Sequence, residues 1–180
     1  PEPKAKRTVE GDLGVYVNMK NIIEVIGGVK KLKIELEGLD VEKVMESYKA
    51  IPKTPEEVRL VERLTKEAVL RAVERHAGKI RYVYGPSGRI TLAEGKDLTQ
   101  VKYIVGTGGA LTRLPHRIEI MRSITEDNSG GMNLYPGSHA EILVDNDYIM
   151  ASLGVLSKRY KESAVKLLEK SLNYKFGRKS

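Results

Sequence analysis

The stretch that decides the fold is Val101-Lys-Tyr-Ile-Val-Gly-Thr-Gly-Gly-Ala-Leu-Thr-Arg-Leu-Pro115, continued by His116 to Ile124. Val101, Tyr103, Ile104 and Val105 make a short apolar run, which predicts a buried strand bounded by turn residues. Gly106, Gly108 and Gly109 follow. After Pro115 the apolar spacing changes to Ile118, Met121 and Ile124, which predicts a helix starting at the proline. Strand, glycine turn and helix present bare backbone N–H groups to a ligand. The plainer alternative is that the glycines only permit tight strand–helix packing.

Working outward, Thr54-Pro-Glu-Glu57 predicts a helix start: Thr54 as N-cap, Pro55 at the first helical position and Glu57 closing a capping box. Val58, Val61, Leu64, Ala68 and Ala72 then predict one long helix, with Lys66, Glu67, Arg71, Glu74 and Arg75 on its polar face. Before it, Met19, Ile22, Ile23 and Ile26 predict a helix capped by Asn18 and stopped by Gly27-Gly28, and a second runs from Asp40. After it, Lys79–Tyr84 and Arg89–Leu92 around Gly85-Pro-Ser-Gly88 predict a hairpin. Glu126–Gly131 reads as a polar loop and Glu141–Asp145 as another buried strand. Asp145 or Asn146 caps a helix carrying Tyr148, Ile149 and Leu153. A last helix from about Ser157 to Leu172 is expected to face Ala164, Leu167, Leu168 and Leu172 inward. Helices first, then strand–helix–strand–helix, predict a mixed α/β domain over 1–180, with a mostly helical insertion at 19–78 and an α/β core at 79–172.

Composition narrows the classes. The chain has 41% apolar residues, one phenylalanine and no tryptophan, so Leu, Ile and Val must fill the core. Without cysteine there are no disulfides or thiolate metal sites, which suits a cytoplasmic protein. No apolar run reaches the ~20 residues of a membrane span. The formal net charge of +7 suggests nucleic acid, yet Pro1–Arg7 and Lys170–Ser180 carry +2 and +4 of it. Such basic ends read as solvated tails rather than binding arms.

The glycine turn fails the obvious phosphate-loop tests. A dinucleotide fingerprint needs Gly or Ala where Leu111 stands, and a Walker loop needs Lys-Ser/Thr where Ala110-Leu111 follow Gly109. His76, His116 and His139 lack metal-ligand spacing, and no G-x-S-x-G elbow is present.

Ile104-Val-Gly-Thr-Gly-Gly-Ala-Leu-Thr-Arg-Leu-Pro115 resembles the adenosine motif of the actin-like ATPase superfamily. More closely, five ordered motifs resemble the MutL family linked to glutamate mutase, which is unrelated to mismatch-repair MutL. They are Thr8-Val-Glu-Gly-Asp-Leu-Gly14, Arg75-His-Ala-Gly78, Glu94-Gly-Lys-Asp-Leu98, Gly106-Thr-Gly-Gly109 and Asp145-Asn-Asp-Tyr-Ile-Met-Ala-Ser-Leu-Gly154. The resemblance covers nearly the whole chain. It implies the C-terminal lobe of an actin-like (ribonuclease H-like) ATPase with a helical insertion subdomain. Its members accompany adenosylcobalamin-dependent mutases as reactivating chaperones, like diol dehydratase reactivase.

On that resemblance, Gly106, Thr107, Gly108, Gly109 and Ala110 would line adenosine and the α-phosphate of ATP or ADP. Leu111 and Arg113 would lie beside the base, and Asp147 near the adenine. Gly11, Asp12 and Gly14 would stand on the cleft side, and Lys66, Glu67 or Arg71 of the long helix would form the other wall. The phosphate-gripping Asp-x-Gly loops of the superfamily are missing. The expectation is therefore a C-terminal piece of a longer protein, with an incomplete ATPase site and Mg²⁺ held in the full-length chain. The rival readings are a small-molecule kinase lobe of the same superfamily and a nucleic-acid-binding module using the basic tails.

Overall fold

The computed structural model describes residues 7–86, 88–126 and 131–177. The expected tails therefore fall partly, and the 126–131 loop largely, outside the described residues. In the first half a single 3-10 turn (Gly11–Leu13) leads into α1 (Met19–Ile26), α2 (Val29–Glu35), α3 (Val41–Ser47) and the 22-residue α4 (Pro55–His76). Each helix has one apolar face, and these faces meet: Ile22, Leu32, Val41, Leu60 and Leu64 are fully buried in one cluster. Burying a side chain of this kind contributes ~1.5–3 kcal/mol.

The capping signals fare unequally. At α4 the box forms in full: the Glu57 N–H donates to Thr54 Oγ1 (3.2 Å), and Glu57 Oε2 accepts from the N–H groups of Lys53 and Thr54. Asp40 caps α3 by accepting from the Lys43 N–H. Asn18 precedes α1 without capping it; its Nδ2 donates instead to the Gly11 carbonyl (2.6 Å), tying down the loop before it. Gly27 ends α1 in a left-handed conformation (φ 115°). Helix α2 follows at once and buries Leu32 in the same core, with Val29 packed beside it and Leu36 at its end.

The second half holds two small sheets. Strands β1 (Lys79–Gly85) and β2 (Gly88–Glu94) pair antiparallel from Lys79↔Glu94 to Gly85↔Gly88. Strand β3 (Tyr103–Gly106) is followed by α5 (Gly109–Arg113) and α6 (Arg117–Glu126). Strand β4 (Glu141–Val144) then pairs parallel with β3, from Tyr103↔Glu141 to Gly106↔Val144. The helices between them are the crossover that parallel pairing requires. Helices α7 (Met150–Leu156) and α8 (Lys161–Leu172) close the chain. The architecture is a mixed α/β one.

Several expectations need correction. Tyr148 and Ile149 precede α7 rather than lie on it, since Tyr148 has a left-handed backbone (φ 55°), and the last helix begins at Lys161 rather than about Ser157. No helix starts at Pro115: one short helix ends before it and α6 begins two residues after it, because Pro115 sits in the turn between them. Strand β3 is only partly covered, with Tyr103 and Val105 exposed on the face opposite Ile104 and Gly106. Leu167 does not face inward but is 43% exposed.

Helix α4 links the halves. One face joins the helical core, and another carries Val61 against Leu114 and Ile120, beyond the glycine turn. The turn is thereby held opposite the middle of a long rigid helix.

Candidate functional site

The three glycines of the turn have three different causes. A Cβ on Gly106 would run into the Met121 side chain of α6, so this glycine serves packing. Gly108 has φ +93°, a region L side chains rarely adopt. Gly109 has neither reason: its φ is ordinary, and a Cβ there would meet nothing within 4 Å. The space beside it is open.

That space is bounded by two cavities that share Val15, Gly109 and Ala110. The first, of about 370 Å³, has Thr107 to Leu111 on one side and Thr65, Ala68, Val69 and Ala72 of α4 on the other, with Leu13 at its edge. The small residues of α4 are what keep it open. The second, of about 480 Å³, is aromatic: Tyr16, Tyr48 and Tyr148 line it with Arg113, Pro52 and Pro115. The Tyr16 and Tyr48 rings lie 5.4 Å apart, inclined by 36°. The Tyr48 hydroxyl donates to the Val15 carbonyl, and burial pushes its pKa up to about 12, so it stays a neutral donor. Tyr148 takes a left-handed backbone (φ 55°), unusual for a bulky residue.

Thr65 stands out in the first cavity. It is 2% exposed, and its hydroxyl has no hydrogen-bond partner among the described residues. A buried unpaired hydroxyl costs about 1–3 kcal/mol.

Several residues expected at the site lie elsewhere. Lys66, Glu67 and Arg71 are on α4 but line neither cavity; Thr65, Ala68 and Val69 do. Glu67 is instead clamped between Arg63 (3.1 Å) and Arg71 (2.8 Å), and Arg71 also holds Glu74. Asp12 is turned toward the far end of α4, where Arg75 grips both its oxygens at 2.7 and 2.8 Å and also holds Glu10. That hydrogen-bonded guanidinium keeps the Asp12 carboxyl below its usual range. Gly11 and Gly14 flank this turn, whose contribution to the cavity is Leu13. Asp147 is exposed and outside both cavities, and its neighbour Tyr148 enters the aromatic one. The residues brought together as expected are Thr107, Gly108, Gly109, Ala110, Leu111 and Arg113, with Gly106 buried just behind them.

Sequence reasoning missed Thr65 and the three tyrosines. Thr65 left one trace, a hydroxyl interrupting an apolar stripe between Leu64 and Ala68. The tyrosines left none, because their meeting depends on packing between segments far apart in the chain.

Neither Asp145 nor Asn146 is the N-cap of α7, a place Ile149 takes, but the Asp145 carboxylate reaches the N–H groups at that helix start. Asp145 is completely buried, and accepts hydrogen bonds from Thr107 Oγ1 (3.0 Å), Ser171 Oγ (2.6 Å) and the N–H groups of Ile149 (3.1 Å) and Met150 (2.9 Å). Burial pushes its carboxyl upward, but those four donors outweigh it and hold the pKa below the ordinary value. One carboxylate thus fixes the glycine turn to the start of α7 and the end of α8.

The histidines are dispersed: His76 contacts Thr8, and His116 is clasped by Glu62. Among the described residues no group of three His, Asp or Glu side chains is placed to hold a metal ion. No described helix is long and apolar enough to cross a membrane.

Comparison with known proteins finds no solved structure that matches this chain. A curated relative, Protein MutL of Clostridium tetanomorphum, is 37% identical over 176 residues, covering 95% of this chain and 38% of its own length. The chain thus spans well under half of that relative. The model of the MutL protein family matches residues 1–172, taking in the long helix, the hairpin, the glycine turn and the Asp145 junction. On a match of that extent, this chain belongs to the MutL protein family.

Proposed function

We propose that the glycine turn and its two cavities form the adenosine-binding half of a nucleotide site, in an actin-like lobe of a reactivating factor for an adenosylcobalamin-dependent mutase. The observation that carries the nucleotide reading is Gly109. The fold needs no glycine there, yet it lines both cavities and leaves open space beside bare backbone.

A purine has the size and flatness for the aromatic cavity, where Tyr16 and Tyr48 offer ring faces and Arg113 a planar cation. The ribose and α-phosphate would run along Thr107 to Ala110, beside Gly106 and Leu111. Parts of the protein outside this chain would hold Mg²⁺ and the terminal phosphates, and hydrolysis there would drive closure of the lobes. Membership of the MutL family supports the accessory role toward a mutase.

The test is calorimetric titration of the complete protein with Mg-ADP, wild type against Gly109→Leu. A Cβ at this position meets nothing within 4 Å and the leucine would extend into the cavities, so the variant, checked for folding by circular dichroism, should lose at least about tenfold in affinity, or ~1.4 kcal/mol. Unchanged affinity in a folded Gly109→Leu protein would sink the assignment.

A further inference from the structure

The other face of the C-terminal helices carries an open groove that this nucleotide reading leaves unused. Helices α7 and α8 lie side by side, and between them runs an apolar channel of about 370 Å³. Its floor is Met150, Leu153, Gly154, Ala164, Val165 and Leu168. Three features set it apart from an ordinary helix seam.

First, Gly154 sits inside α7, where glycine costs about 1 kcal/mol relative to alanine. A Cβ at this position would meet nothing within 4 Å, so no neighbour in the fold demands the glycine. Second, apolar side chains of both helices are left in solvent nearby: Val155 is 70% exposed, Leu167 43% and Val165 38%. Third, the charge around the channel has one sign. Helix α7 has no charged residue, and Met150–Leu168 as a whole carries Lys158, Arg159, Lys161 and Lys166 against Glu162 alone. Lys161 lines the channel itself, and Lys158 and Arg159 stand in the turn that joins the two helices. None of these four cations has an ion-pair partner among the described residues.

We infer that the α7–α8 groove is a docking site for an acidic amphipathic helix of a protein partner. The apolar stripe of that helix would lie over Gly154 and Ala164, and its carboxylates would meet Lys161 and the cations of the turn. Small residues at the floor admit close helix approach, as in helix-in-groove recognition. A nucleic acid would use the cations but would leave the apolar floor without a role, and the protein helix satisfies both.

The experiment uses the complete protein and a fluorescent designed peptide of about 18 residues, with leucines at i, i+3, i+4 and i+7 and glutamates on the opposite face. Anisotropy should report saturable binding that weakens with salt. Gly154→Leu starts from a Cβ that meets nothing within 4 Å and extends into the channel, and should weaken binding at least about tenfold, as should Lys161→Glu, which reverses one exposed charge. Circular dichroism melts that match wild type would establish that both variants are folded. No peptide binding by the wild-type complete protein would overturn the proposal, because the groove would then be covered by other parts of the chain. So would wild-type affinity in both folded variants. Binding of duplex DNA instead of the peptide, lost on Lys161→Glu and indifferent to Gly154→Leu, would also overturn it.

Discussion

Residue by residue, the glycine turn separates the demands of the fold from those of a ligand. Gly106 and Gly109 are three positions apart and look equivalent in the sequence, but only Gly106 has a side chain pressed against it. Gly106→Val should therefore overpack the β3–α6 contact at Met121 and destabilise the protein by about 1–3 kcal/mol, read as a lower urea midpoint. Gly109→Leu should leave that midpoint nearly unchanged while removing nucleotide affinity. If the two variants were equally destabilised, Gly109 would be a packing glycine after all. Thr65 belongs to the same scale, as a buried hydroxyl that the described residues leave unpaired beside the same open space.

Among the elements, the junction of β4, α7 and α8 is held by the single buried carboxylate of Asp145. Asp145→Ala would leave two backbone N–H groups and two hydroxyls without their acceptor in a water-excluded place. A loss on the order of 3 kcal/mol is expected, together with faster hydrogen exchange at the amides of Ile149 and Met150. Its depressed pKa gives the matching acid dependence. The stabilisation is present above the unfolded value, near 3.8, and is lost as pH falls through the lower folded value. Protection of Ile149 and Met150 that survived in the alanine variant would mean that α7 holds its own start. Helix α4 shows the opposite case, in which a local signal sufficed: Thr54, Pro55 and Glu57 are close in sequence, and the box they form needs no distant partner.

For the molecule as a whole, α4 connects the helical half to the glycine turn, and one surface contact across that connection is pH-sensitive. The Glu62 carboxylate accepts from the His116 N–H at 2.9 Å and lies 2.9 Å from His116 Nδ1. Hydrogen bonding to Glu62 raises the His116 pKa above the ordinary histidine value of 6.5. A raised folded pKa means the contact stabilises fully below the unfolded value and fades as pH rises through the folded one. The gap in urea midpoint between wild type and His116→Gln should accordingly be widest near pH ~5.5 and close by pH ~9. A gap that stayed constant over that range would show that the imidazolium contributes nothing.

By itself the sequence determined what depends on near neighbours: the capping box of α4, the hairpin around Gly85–Gly88, and the strand–glycine–helix order from Val101 onward. The five ordered motifs also carry the resemblance to the MutL family without any help from tertiary structure. Tertiary structure decided the rest, for one physical reason: side-chain direction and free space are set by packing between distant segments. It turned Lys66, Glu67 and Arg71 away from the cavity and put Thr65, Ala68 and Ala72 there. It placed Tyr148 rather than Asp147 in the aromatic pocket, and it made Asp145 a buried tie. It also distinguished Gly109, beside which space is empty, from Gly106, beside which Met121 fills it.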